Sequence, residues 1–114
     1  MQAAWEFEQP YEWSAHEGAS RRIGIPEAVI DTIKFDRAPD GLSDKDTAII
    51  RFGRALLREH KVSSELYAEM VGHFGQQGMV DLATIMGDYI MVGLVLTAAD
   101  QHLPPNMTNT LPPR

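Results

Sequence analysis

The sequence predicts an all-α domain, and three observations lead to this fold class. Apolar residues recur at helical spacing over most of the chain, as Phe52 and Leu56 do. Residues that favour the ends of helices, such as Pro10 and Gly24, stand at the borders of these stretches. No alternation of apolar and polar residues indicates a β-strand. The 114 residues suffice for one small domain, which we place at residues 1–105.

Two helices are predicted near the start of the chain. Pro10 favours the first helical turn, because its missing N–H would have no partner there in any case. We expect this helix to begin at Pro10 or one residue earlier and to reach Ile23, where Gly24 ends it. Pro26 then opens a shorter helix that runs to about Phe35.

Two further helices are predicted in the middle of the chain. Ser43 is a typical N-cap for a third helix over 44–60, because its hydroxyl accepts a hydrogen bond from a free N–H of the first turn. Ser63 or Ser64 caps a fourth helix over 64–74. The glycines at both ends of 75–78 predict a turn after it.

The fifth predicted helix, about 79–102, is apolar almost all the way round. Its longest stretch without a charge is 89–99, which is too short for a membrane span of ~20 residues, so we expect no membrane segment. A helix that is apolar on every side must be shielded from water by other protein segments. We therefore expect a homo-oligomer in which neighbouring subunits cover it; the alternative is the central core helix of a monomer. The Pro-rich tail, 106–114, is either a disordered end or an arm laid on a neighbour.

Composition excludes several classes of function. The net charge of -6 is unfavourable for binding a phosphate backbone, so we expect no nucleic-acid partner. The chain contains no cysteine, which excludes disulfides, cysteine-ligated zinc and thiol chemistry. The first residues lack the basic and apolar regions of a signal peptide, and we expect a soluble, cytoplasmic protein.

Glu12 and His16 are the first candidate functional pair. Residues four apart lie on one helix face, which here also carries Ala15, Ala19 and Ile23. We therefore expect the pair at a helix–helix interface, where Glu12 raises the pKa of His16 and His16 lowers that of Glu12. Such a histidine suits proton transfer near neutral pH. The alternatives are a solvent-exposed ion pair of little weight and a metal site, for which no third ligand stands at a suitable spacing.

Asp88 and Tyr89 lie inside the most apolar helix. An unpaired carboxylate is costly there, so Asp88 either finds a partner, lies at a cavity or reaches solvent. Tyr89 is either a core aromatic with a satisfied hydroxyl or a catalytic group.

A resemblance to a known family lies in residues 11–33, YEWSAHEGASRRIGIPEAVIDTI. This segment resembles the carboxymuconolactone decarboxylase family, the cysteine-poor branch of the alkylhydroperoxidase D-like superfamily. The residues that match the family pattern are Tyr11, Glu12, Trp13, His16, Gly24 and Pro26. The stretch LATIMGDYIMVGLVLTA also looks like the last long helix of the family, with its Gly-x-Tyr. The resemblance covers about residues 5–105.

The resemblance implies an alkylhydroperoxidase D-like fold of about five helices, assembled as trimers or hexamers, with a site near a subunit interface. It implies cofactor-free decarboxylation of a small carboxylated or lactone-type substrate, with no metal. His16 would be the general acid/base, Glu12 its orienting partner, and Tyr89 an auxiliary wall or hydrogen-bond donor. Gln9, Glu12 and His16 stand where the peroxidase relatives carry their thiol relay.

One departure from the family pattern leaves a second interpretation open. Family members usually carry further helices before this motif, which here lies close to Met1. The alternative function is therefore a non-catalytic, oligomer-forming helical module that retains the packing of the family.

Overall fold

In the computed structural model, which describes residues 1–113, five α-helices and one π-helical turn follow each other along the chain. They are α1 (Gln2–Glu6), α2 (Pro10–Arg22), α3 (Glu27–Lys34), α4 (Asp44–Arg54), the π turn (Ala55–Glu59) and α5 (Ser64–Ala98). Residues 1–113 contain no β-strand. The prediction of an all-α fold is therefore confirmed.

Local capping chemistry sets the starts of α2, α4 and α5. Gln9 is the N-cap of α2, and its side-chain oxygen accepts a hydrogen bond of 2.7 Å from the N–H of Tyr11. The hydroxyl of Ser43 accepts a bond of 3.1 Å from the first turn of α4, and that of Ser63 accepts one of 3.1 Å from the first turn of α5. Gly24 follows α2 with a φ of 87°, which confirms it as the left-handed stop.

The short helix α1 was not predicted from the sequence. Its five residues have no side-chain cap, and one turn and a half is too short for a periodic pattern. Ala4 and Trp5 are nevertheless buried, and α1 packs against α4 and α5. Tertiary burial therefore stabilises this helix, and local propensity does not.

The predicted bounds of the helices in the second half of the chain agree with the structure in outline and differ from it in detail. The predicted third helix over 44–60 divides into α4 and the π turn, which ends at His60 in a left-handed conformation. The predicted fourth and fifth helices both lie within α5 and are separated by a kink at Gly75, where φ is 73° and ψ is 167°, so the predicted break between them is confirmed there. The predicted turn over 75–78 is thus reduced to one glycine, and α5 ends at Ala98.

The helices enclose two apolar clusters. The first joins α4, the π turn and α5 through Phe52, Leu66 and Met70. The second joins α1, α2 and α3 through Trp5 and Trp13, among others. The helices thus pack around two apolar clusters, and Trp13 places α2 against the second of them.

The later part of α5 is only partly covered by this chain. Its exposed large apolar residues are Val80, Ile85, Met91, Val92, Leu94 and Val95. Within this single chain, the later part of α5 is therefore not a central core helix. By length and composition alone α5 is long and apolar enough to cross a membrane, contrary to the prediction from the sequence, and 17 % of its most apolar window is buried. Here α5 packs against α1 and α4.

The Pro-rich tail lies against the body of its own chain. The backbone N–H of Thr110 donates a hydrogen bond of 3.1 Å to Ser14 of α2, and Leu111 packs against the cluster that contains Trp13. Residues 106–113 are therefore an ordered extension of the fold.

Candidate functional site

Helix α2 buries two carboxylates, Glu12 at 3 % exposure and Glu17 at 1 %. Glu12 approaches α5, whereas Glu17 contacts Lys34 of α3. The face predicted to continue from Glu12 to Ile23 ends earlier, because Ile23 is 78 % exposed. The two carboxylates therefore differ in surroundings, and their chemistry differs accordingly.

The carboxyl group of Glu12 is buried without a hydrogen-bond partner on either oxygen. Burial raises its pKa; the Met1 ammonium group opposes this effect, and the negative charge of Asp88 adds to it. Asp88 itself is exposed on α5. Of the three placements considered for it, namely a partner, a cavity or solvent, the structure shows solvent. Glu12 is therefore a carboxyl group that keeps its proton to higher pH than an ordinary glutamate does.

His16 and Tyr89, two of the three predicted site residues, are in contact. Their ring centroids lie 4.6 Å apart at an interplanar angle of 77°, an edge-to-face contact between α2 and α5. Both residues are half-buried. Burial lowers the pKa of His16, and the Met1 ammonium group lowers it further. His16 is therefore held as neutral imidazole near pH 7.

The predicted mutual tuning of Glu12 and His16 is wrong. The expected pKa shifts were upward for His16 and downward for Glu12, and both directions are reversed. Both oxygens of Glu12 lack a partner, so no ion pair joins the two side chains. Burial disfavours the charged form of each group and outweighs the attraction between opposite charges at this distance along the helix.

Gly93 allows α5 to pass closely over Glu12. A Cβ atom at this position would lie 2.8 Å from Cδ1 of Phe7 and 3.0 Å from Oε2 of Glu12. No side chain therefore fits between the backbone of α5 and the buried carboxyl group.

We expect Gly93→Ala to lower the free energy of unfolding by about 1–2 kcal/mol, because Phe7 and Glu12 must shift to admit the methyl group. Gly87→Ala on the same helix is the matched control, since a Cβ there meets nothing within 4 Å. It should raise stability by up to about 1 kcal/mol through helix propensity. Urea unfolding of the two variants measures both values; equal changes would contradict the close approach.

Glu17 is the buried charged residue that the sequence analysis did not select. Its Oε1 accepts hydrogen bonds of 2.8 Å from Arg21 and 2.9 Å from Lys34, and its Oε2 accepts one from the Thr110 hydroxyl. Burial raises its pKa, but these hydrogen bonds together outweigh burial and lower it. Glu17 and Arg21 lie four residues apart on one helix, so their contact could have been predicted from the sequence. The contacts with Lys34 and Thr110 could not, because these residues are distant in sequence. We interpret Glu17 as a fixed anion that joins three segments.

Among residues 1–113, no group of three His, Asp or Glu side chains is placed to hold a metal ion. The candidate groups for proton transfer are the carboxyl of Glu12, whose pKa is raised, the imidazole of His16, whose pKa is lowered, and the Tyr89 hydroxyl. No protein-family model, curated protein or solved structure matches the chain. Fold and site thus define the class as an all-α protein with a buried carboxyl group and a histidine on one helix face.

Proposed function

We propose that the chain is a carboxymuconolactone decarboxylase-like, cofactor-free lyase with an alkylhydroperoxidase D-like fold. The observation that carries the proposal is the buried carboxyl group of Glu12, which has no hydrogen-bond partner and lies one turn from His16. A buried polar group without a partner lowers stability and calls for an explanation, which a role in proton transfer would supply. The substrate class is a small carboxylated or lactone-type molecule, as the resemblance of residues 11–33 suggests.

The pKa directions exchange the roles that the resemblance implies for the two residues. Decarboxylation breaks the bond between a carbon atom and its carboxylate, releases CO2 and leaves the electron pair as an enolate. We assign the proton donor to Glu12, whose raised pKa favours its protonated form: it donates to the enolate carbon and becomes a carboxylate. The proton that Glu12 loses is replaced by a solvated proton from bulk water, which neutral His16 accepts and passes to Glu12 through one water molecule. Tyr89 orients the imidazole through the edge-to-face contact.

The test is the decarboxylation of carboxymuconolactone by the protein and by His16→Ala. We expect turnover to fall by about 10²–10⁴-fold, the usual weight of a proton-transfer group. The melting temperature should change little, because His16 makes one ring contact and is half-buried. His102→Ala is the control, since this histidine has a side chain 84 % exposed. Full activity of His16→Ala would reject the role of His16.

The second candidate function is a non-catalytic, oligomer-forming module. The apolar residues exposed on α5 favour it, since Leu94 and Val95 are 54 % and 63 % exposed in the single chain. We propose that copies of the chain cover this face in a trimer or hexamer, whether or not the protein is an enzyme. For the module, His16→Ala would change assembly or stability and no activity would be lost, which size-exclusion chromatography and a thermal melt distinguish.

We further propose a soluble, cytoplasmic protein. Asp81 and Asp88 interrupt the apolar part of α5, and carboxylates are unfavourable within the hydrocarbon core of a bilayer. Cell fractionation tests this point, and recovery in the membrane fraction would contradict it.

A further inference from the structure

An apolar cavity of about 280 Å³ lies where the end of α1, the π turn and α5 meet. We call it the π pocket. Its lining residues are partly buried apolar side chains and two polar ones: Phe7, Leu56, Leu57 and Ile90, with Glu6 and His60. The volume lies near the lower end of the range for ligand sites, about 300–1,000 Å³, so the cavity suits a small molecule.

The two polar residues of the π pocket differ in what they can offer a ligand. Oε1 of Glu6 accepts hydrogen bonds of 2.5 Å from Arg58 and 2.8 Å from Gln2, so its charge is already paired. The side chain of His60 has no hydrogen bond or ion pair with any other residue of 1–113. An imidazole N–H donates readily to a carboxylate oxygen. The pocket therefore suits a small apolar molecule that carries a carboxylate.

The π pocket adjoins the buried carboxyl group of Glu12. Phe7 forms part of the pocket wall, and its Cδ1 would lie 2.8 Å from a Cβ atom at Gly93. The same Cβ atom would lie 3.0 Å from Oε2 of Glu12. Ile90, which also lines the pocket, precedes Gly93 by one turn on the same face of α5. Phe7 therefore borders both the pocket and the carboxyl group.

The proposed reaction requires a path to Glu12. This residue is 3 % exposed, whereas a proton donor must come within hydrogen-bond reach of the reacting atom. Phe7 directly follows the last residue of α1 and is only partly buried. An aromatic ring at such a position turns about its χ1 angle more readily than one in a packed core. Rotation of this one side chain would open the pocket towards the carboxyl group.

We propose that the π pocket binds the substrate of the lyase, with an apolar part against Leu57 and Ile90 and a carboxylate on His60, and that Phe7 is the gate to Glu12. The π turn supports this assignment, since π-helical turns occur frequently at functional sites. The identity of the ligand as a substrate rests on the proposed function, whereas the binding of a small apolar carboxylate to the pocket does not.

Binding of benzoate to the full chain tests the pocket without turnover. We expect saturable shifts of the amide signals of Leu57 and Ile90 in NMR titrations. His60→Gly should weaken benzoate binding by about 3–10-fold, the weight of one hydrogen bond. Glycine keeps the left-handed backbone of this position, where φ is 57°. Toluene, which lacks the carboxylate, should bind this variant and wild type equally. His102→Gly, at a side chain 84 % exposed outside the pocket, is the control and should bind benzoate as wild type does.

Two results would overturn the binding site. They are benzoate shifts confined to the exposed face of α5, and equal benzoate affinity of His60→Gly and wild type. Leu57→Trp covers the case in which His60→Gly does not fold, because the larger side chain fills the pocket and should abolish binding of both molecules. Benzoate binding without any decarboxylation would reject the lyase and keep the pocket. Decarboxylation that Leu57→Trp leaves unchanged would reject the pocket and keep the lyase.

Phe7→Ala tests the gate through the accessibility of Glu12. A water-soluble carbodiimide and an amine label carboxyl groups that solvent can reach, and mass spectrometry measures the label on each residue. Glu17 is the internal control, because it is equally buried on α2 and belongs to the cluster of Arg21 and Lys34. The ratio of label on Glu12 to label on Glu17 should rise severalfold in Phe7→Ala. An unchanged ratio, including a parallel rise at both residues, would overturn the gate.

Discussion

Glu17→Gln lowers the free energy of unfolding by about 2–3 kcal/mol at pH 7, the range expected for loss of charge-assisted hydrogen bonds at a buried site. The substitution keeps the shape of the side chain and removes its charge. Lys34, with a side chain only 19 % exposed, then loses its anionic partner. Arg21 is 42 % exposed and recovers part of its interaction from water, which keeps the loss below that of a fully buried pair.

The pH dependence of this loss follows from the lowered pKa of Glu17. In the unfolded chain the group titrates near its ordinary value of 4.5, and in the folded protein it titrates below that value. The stabilisation is therefore fully present above pH 4.5 and disappears as the pH falls through the folded pKa. Wild type and Glu17→Gln should differ at pH 7 and converge in acid, as urea unfolding at several pH values measures.

Glu27→Gln is the matched control for this experiment. Glu27 pairs with the same Arg21, at 2.6 Å, but its side chain is 59 % exposed. An exposed pair contributes little to stability, because water competes for both charges. The melting temperature of Glu27→Gln should stay close to that of wild type. A similar result for Glu17→Gln at pH 7 would contradict the interpretation of Glu17 as a structural anion.

The parts of the fold that depend on local chemistry were predicted from the sequence. Pro10, Ser43 and Ser63 start helices because their side chains or rings suit the first turn wherever it occurs. The helix α1 was missed because its stability comes from contacts with α4 and α5, which no short window of sequence contains. The helix break at Gly75 was predicted from the glycine itself, but the predicted four-residue turn is shortened to that one residue. Packing of Met79, Leu82 and Ala83 on the first apolar cluster accompanies helical structure over 76–78, which the local sequence pattern did not indicate.

The candidate site shows the same division between local and tertiary information. The spacing of Glu12 and His16 on one face is a local property and was predicted. The direction of their pKa shifts was not, because it depends on how closely α5 covers Glu12, and Gly93 sets that approach. The role of Glu17 was missed because two of its three donors, Lys34 and Thr110, come from other parts of the chain.

Glu12→Gln should raise the free energy of unfolding, whereas Glu17→Gln on the same helix lowers it. Gln has nearly the same shape as protonated glutamate and cannot ionise. Burial raises the pKa of Glu12 in the folded protein above its ordinary value of 4.5, so the folded state binds this proton more tightly than the unfolded chain does. Wild type therefore loses stability as the pH rises above 4.5, until the folded pKa is passed. Glu12→Gln avoids this loss.

We expect Glu12→Gln to match wild type in acid and to exceed it by about 1–3 kcal/mol at pH 8, the range for a buried polar group without a partner. The charged and titratable groups around Glu12 are the Met1 ammonium, His16 and Asp88, which both proteins keep. Glu59→Gln at the exposed end of the π turn is the control and should change stability little at either pH. A lower melting temperature of Glu12→Gln at pH 8 would show that the carboxylate has a partner.

The same variant separates the two candidate functions. If Glu12 donates the proton in a decarboxylation, Glu12→Gln is more stable at pH 8 and loses turnover by about 10²–10⁴-fold, because the amide has no acidic proton to give. If the chain is an oligomer-forming module, the variant is more stable and its assembly is unchanged. A gain in stability together with full decarboxylase activity would remove Glu12 from the mechanism, and His16 would then have to supply the proton without it.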